Sequence, residues 1–150
     1  MMLKQISVFL ENKPGTLNAP CKLLADNGIS ISTLSLADTA EFGVLRLIVR
    51  EWEKAAQILK EHGFIIKVTD VVAIRVDHKA GSLAKILETL DKHSINVEYM
   101  YAFAAGIEGT AAVIFRFDDP EKALAKLKNE HITRIANADY LFANDPHNAV

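Results

Sequence analysis

The chain has 150 residues, of which half are apolar and 24% charged, with a net charge of −2. That balance describes an ordinary soluble globular protein, and its interspersed charges leave no electrostatic footprint for nucleic acid or an anionic membrane. No apolar run approaches the roughly 18 residues needed to cross a bilayer, and Met1-Met2-Leu3-Lys4-Gln5 leads into a strand pattern rather than a signal peptide.

Leu3 to Leu10 alternates, with Ile6, Val8 and Leu10 on one face, as a half-buried strand should. Pro14-Gly15-Thr16 then breaks the strand and opens a helix, which Thr16 is expected to cap and which carries Leu17, Cys21 and Leu24. Pro20 fits that helix within its first turn, where a missing N–H costs little, and Asn27-Gly28 stops it. Ile29–Leu36 and Val44–Val49 form a hairpin joined by the polar stretch 37–43. Glu53–Glu61 is a second helix ending at His62-Gly63, and Phe64–Thr69 is a closing strand.

The same order then recurs. Val71–Val76 is a strand, Ser82 is expected to cap a helix carrying Leu83, Ile86, Leu87 and Leu90, and Ile95–Tyr101 pairs with Ala111–Phe117. Asp118-Asp119-Pro120-Glu121 is a helix start with acidic residues at the positive end of the dipole. Asp139–Ala143 is expected to complete the sheet, and 144–150 reads as a frayed tail.

The recurrence is a true internal repeat. Glu11-Asn12-Lys13-Pro14-Gly15-Thr16-Leu17 returns as Asp77-His78-Lys79-Ala80-Gly81-Ser82-Leu83, 66 positions on, from Gly15 to Gly81. Glu53-Lys54-Ala55 and Leu59 match Glu121-Lys122-Ala123 and Leu127 at an offset of 68, so the second copy has gained two residues between these stretches. A period this long suits a small domain rather than a solenoid unit. The division expected is therefore 1–70, 71–143 and a tail at 144–150, with only Asp70 between the copies and no room for a hinge. Strand–helix–strand–strand–helix–strand with both helices on one face is the ferredoxin-like α+β sandwich, a scaffold that decides no function by itself.

The Pro-Gly phrase, followed by Leu24 and then Asn27-Gly28-Ile29-Ser30-Ile31, resembles the first half of an ACT domain, the small-molecule-sensing regulatory module of amino-acid metabolism. The resemblance covers nearly the whole chain as two tandem domains. The first copy is especially similar to the serine-sensing domain of phosphoglycerate dehydrogenase; the second, with Ala80 for the Pro and Ser94 for the Gly, is the looser match. This implies an L-amino acid held at one or both strand-to-helix loops, with no catalytic residues, metal or cofactor. Physical chemistry agrees with such a loop. Gly15 and Gly81 permit a tight turn and close ligand approach, and the helix start beyond them offers unpaired N–H groups to a carboxylate.

In the serine-sensing domains the ligand lies between two modules, held by the polar residue before the turn and by an Asn at the start of the second strand. The matching positions are Asn12 and Ser30 in the first copy, His78 and Asn96 in the second. Asn12 with Asn96 keeps the family's amide pair, at a seam between the copies, and the amides around Pro14, Gly15, Thr16 and Leu17 would take the carboxylate; Gly81, Ser82 and Leu83 are their counterparts. Leu10 and Val76 stand where the family carries a basic side chain, which favours an apolar or aromatic ligand over serine if they face the site.

Other chemistry is thinly represented. The five histidines show no metal-ligand spacing, and His62 and His93 suit helix C-terminal ends. The single Cys21, whose repeat partner is Leu87, reads as a small core residue in a reducing, cytoplasmic setting. Tyr99, Tyr101 and Phe103 alternate without interleaved Arg and Lys, unlike an RNA-binding sheet. The leading expectation is a stand-alone amino-acid sensor that forms a homodimer, with no nucleic-acid or membrane partner. One alternative is the regulatory small subunit of a biosynthetic enzyme such as acetolactate synthase. The other is a small enzyme in the manner of acylphosphatases, which needs an Arg-bearing anion loop where this chain offers Lys13 and Lys79.

Overall fold

Alternation in Leu3–Glu11 produces the first strand, β1, with Ile6, Val8 and Leu10 all buried. In the computed structural model, which describes residues 2–38, 41–104 and 109–135, the chain continues as α1 (Asn18–Asp26), β2 (Ile31–Asp38), β3 (Phe42–Val49), α2 (Trp52–Glu61) and β4 (Ile65–Asp77). Then follow α3 (Ser82–Lys92), β5 (Val97–Ala104), β6 (Thr110–Phe117), α4 (Pro120–Lys126), a 3₁₀ turn at Leu127–Asn129 and β7 (Arg134–Ile135). These are two rounds of the ferredoxin-like βαββαβ order. The chain divides into two compact units, Lys4–Thr69, and Met1–Leu3 with Asp70–Val150.

In the Lys4–Thr69 unit the strands run in the order β2-β3-β1-β4. β3 is antiparallel to both neighbours, with Ile6 opposite Leu47 and Leu34 also opposite Leu47 on its other side. Helices α1 and α2 close one face. The core joins Ile6, Val8 and Leu10 to Leu45, Leu47 and Val49, with Leu24, Ile29, Ala55 and Leu59 from the helical layer. Cys21 packs against this core, half-buried, and burial pushes its thiol up from the ordinary range, which leaves it a poor nucleophile. Pro20 is buried in the first turn of α1, where its ring displaces no helical hydrogen bond.

In the second unit β6 lies between β4 and β5, and β7 pairs antiparallel with β4, Ala73 opposite Ile135. Its core is Val72, Ile74, Val76, Leu90, Ile95, Val113, Phe115, Phe117, Ala123 and Leu127. Apart from Ala56, every residue of the first core has its repeat partner in the second. Phe115 and Phe117, partners of Leu47 and Val49, add ring contact at 5.7 Å between centroids. Burying a side chain of this size contributes about 1.5–3 kcal/mol, so these matched positions carry the fold in both copies.

Local details depart from expectation. Asp70 does not separate two strands: β4 runs unbroken from Ile65 to Asp77, and the Asp70 carbonyl accepts a hydrogen bond from Arg116 Nη1 at 3.0 Å. Thr16 and Ser82 do not cap helices. Leu17 and Gly81 hold the N-cap positions, and neither makes a side-chain cap bond. Asp119 does cap, accepting from the Lys122 amide at 3.0 Å, with Pro120 in the first turn. The strand expected at Asp139–Ala143 lies outside the described residues, as does the tail, and Arg134–Ile135 makes the pairing with β4.

Candidate functional site

The two strand-to-helix loops share a backbone. Gly15 and Gly81 have φ of 88° and 85°, the left-handed region that L-residues avoid. A Cβ at either would meet nothing within 4 Å. Turn geometry, not crowding, therefore selects glycine. Lys13 N–H bonds back to the Glu11 carbonyl and Lys79 N–H to the Asp77 carbonyl, at 3.0 and 2.8 Å.

Their side chains behave differently. In the first loop the Thr16 hydroxyl turns back onto the turn, 2.6 Å from the Glu11 carbonyl and 2.8 Å from the Lys13 carbonyl. The Lys13 ammonium pairs with the Glu11 carboxylate. The first loop's polar groups thus satisfy one another. In the second loop, Asp77, Lys79 and Ser82, the repeat partners of Glu11, Lys13 and Thr16, make no side-chain hydrogen bond or ion pair among the described residues.

Those open groups line a cleft of about 420 Å³. One wall is the end of β4 and the first turn of α3, with Val76, Asp77, Lys79, Ser82, Lys85 and Ile86; the other is His131, Ile132 and Thr133. The Arg75 N–H donates to the Thr133 carbonyl at 2.8 Å, which joins the two walls. Ile132 packs on the second core and fixes the far wall from beneath. At the start of α3 the Ser82 N–H donates to the Lys79 carbonyl at 3.1 Å and the Lys85 N–H to the Gly81 carbonyl at 3.0 Å, while those of Leu83 and Ala84 have no carbonyl within the helix to bond.

Of the residues expected to bind a ligand, Val76 and Ser82 line this cleft. His78 and Gly81 are exposed beside it, and Leu83 packs on the core. Asn12, Pro14, Gly15 and Leu17 are exposed on the first loop, with Thr16 half-buried. Leu10 and Val76 are 7% exposed and belong to the two cores. Ser30 and Asn96 are exposed, each just before a strand whose register shifts, between Ile31 and Thr33 in β2 and between Val97 and Tyr99 in β5. Such bulges re-aim the residues next to them. Lys85 and His131 were not among the expected residues. Lys85 carries a readable signal, a cation in the first helical turn where the first copy has Ala19; His131 has none, because only the fold brings it to the loop.

The model of the ACT domain pair matches residues 1–142. The chain belongs to the ACT domain pair family. A protein from Bacteroides thetaiotaomicron, BT0572, is 38% identical, with 94% of this chain and 96% of that one aligned and a TM-score of 0.86. The same fold recurs in the ligand-free regulatory subunit of aspartate kinase from Thermus thermophilus, at 18% identity, TM-score 0.59, and coverage of 83% and 90%. It recurs also in the aspartokinase alpha and beta subunits, at 22% identity, TM-score 0.58, and coverage of 83% and 88%. No curated protein sequence matches the chain. In ACT terms, the cleft lies at the strand-to-helix loop of the second domain.

Proposed function

We propose that this ACT pair is a non-catalytic cytoplasmic regulator of amino-acid metabolism that binds an L-amino acid at its strand-to-helix loops and acts as a homodimer. The observation that carries the reading is the cleft at the second loop, where the side chains of Asp77, Lys79 and Ser82 make no hydrogen bond or ion pair among the described residues, in a family of small-molecule sensors. Helix-start amides suit a carboxylate, and a carboxylate or carbonyl suits the ammonium. Asn12 at the first loop and Asn96 ahead of β5, both exposed and without a side-chain partner among the described residues, do not line that cleft and are proposed as amide contacts to be tested separately. The regulatory subunit of aspartate kinase shares this fold, which favours a second form of the same reading, in which the ligand's effect passes to a separate catalytic subunit.

A thermal-shift screen over the standard amino acids tests the proposal. A ligand at about 100 times its Kd stabilises by roughly 2.7 kcal/mol, a shift of several degrees for a chain of this size. A flat response to all of them overturns amino-acid binding. Copurification of a catalytic subunit from extract separates the partnered form from the stand-alone one.

A further inference from the structure

We propose that the cleft at the second loop selects an amino acid with an acidic side chain. This rests on the reading of the loop as an amino-acid site and sharpens it to a ligand class. The cleft is lined by three cationic residues, Arg75, Lys79 and Lys85, and one acidic residue, Asp77, whose side chains make no hydrogen bond or ion pair among the described residues. A site with an excess of cations around a single carboxylate suits a ligand with two carboxylates and one ammonium. Asp77 takes the ammonium, one lysine and the head of α3 take the α-carboxylate, and the other lysine takes the side-chain carboxylate. Val76 and Ile86 supply apolar wall for the short methylene stem.

The first loop provides the contrast within the same chain. Its one lysine, Lys13, is paired with Glu11, and Ala19 occupies the position of Lys85. It offers no second cation for a second carboxylate. The same backbone has thus been given two different charge sets.

Calorimetry on the full chain with L-aspartate and L-glutamate, set against L-asparagine and L-glutamine, tests the assignment. Each pair differs only in the side-chain charge. Charge-assisted hydrogen bonds are worth enough to give the acids about a tenfold or greater advantage, which shrinks as salt is raised. Lys85→Gln and Lys79→Gln, both at exposed positions, are expected to bring the acid-to-amide ratio towards one. Amides that bind as tightly as acids, or lysine variants that leave the ratio unchanged, overturn the selectivity. Binding of another amino acid but of neither acid overturns this inference and leaves the regulatory reading standing; silence from every amino acid removes both.

Discussion

His93 Nε2 lies 2.6 Å from Glu130 Oε1, joining the C-terminal end of α3 to the segment that leads into His131, Ile132 and Thr133. Lys92 Nζ reaches the same carboxylate oxygen at 3.2 Å. The far wall of the cleft is thereby tied to the helix whose other end forms the near wall.

The tie has a pH dependence. The hydrogen bond from His93 and then that from Lys92 hold the Glu130 carboxyl below its ordinary value of 4.5. A carboxyl whose folded pKa is lowered contributes stability above its unfolded value, and that contribution is lost as pH falls through the folded one. Glu130→Gln is therefore expected to lower the melting temperature near neutral pH, with the difference from the parent closing below about 4.5. Paired thermal melts across that range check it; a gap that widens in acid contradicts it.

Leu24 and Leu90 are repeat partners, 0% and 1% exposed in their respective cores. Leu24→Ala and Leu90→Ala should each cost about 2–5 kcal/mol, because close packing leaves a cavity that the neighbours fill only in part. Urea midpoints measure this. A loss under about 1 kcal/mol at either site would show that its core collapses around the gap.

Ser94 occupies the place of Gly28 and takes the same left-handed turn, φ 50° against 68°. Serine bears a steric cost there that glycine does not. Ser94→Gly is expected to stabilise by up to about 1 kcal/mol after the entropy of the freer unfolded chain is set against it. In the reverse direction, Gly81→Ala should destabilise by about 1 kcal/mol through its φ of 85° alone, since its Cβ meets no neighbour. Calorimetric melting of both variants decides the sign.

An exposed apolar edge supports the proposed homodimer. Leu34 and Leu36 on β2 are each 51% exposed, and Phe42 at the start of β3 is 57% exposed. Edge strands of this kind present open backbone groups beside apolar surface. Sedimentation should give twice the chain mass at micromolar concentration, falling to one chain in Leu36→Lys. A parent that sediments as one chain refutes the dimer.

Asn12→Ala and Asn96→Ala test the assigned amide contacts separately. Loss of an amide partner costs about 1–3 kcal/mol, or roughly ten- to a hundredfold in affinity. Calorimetry with the best ligand from the screen gives each value, and parent-like binding by both variants dismisses the amides.

The architecture was legible because the two cores obey the repeat. The alternation that marks Ile6, Val8 and Leu10 also marks Val72, Ile74 and Val76, and both triplets are buried. The caps were misread because Thr16 and Ser82 precede helical patterns as capping residues do. The left-handed glycine instead fills the N-cap place at Gly81, and at Thr16 the turn itself engages the hydroxyl. The last strand expected at Asp139–Ala143 falls outside the described residues, and the pairing with β4 that is described, at Arg134-Ile135, lies at the offset of 68 from Ile66-Lys67. The cleft was only half visible. Lys79 and Ser82 lie in the phrase, but nothing along the chain announces that His131 faces them across a gap.

The mutual pairing of Glu11, Lys13 and Thr16 has an evolutionary consequence. After duplication the cores kept matched residues while the loops above them diverged, one becoming a closed structural turn and the other an open charged mouth. Loop and core are then separable layers of inheritance, and the segment 77–85 is a graftable cassette. Set into the first copy in place of 11–19, on a backbone that already turns at Gly15 as at Gly81, it would bring its charge set with it.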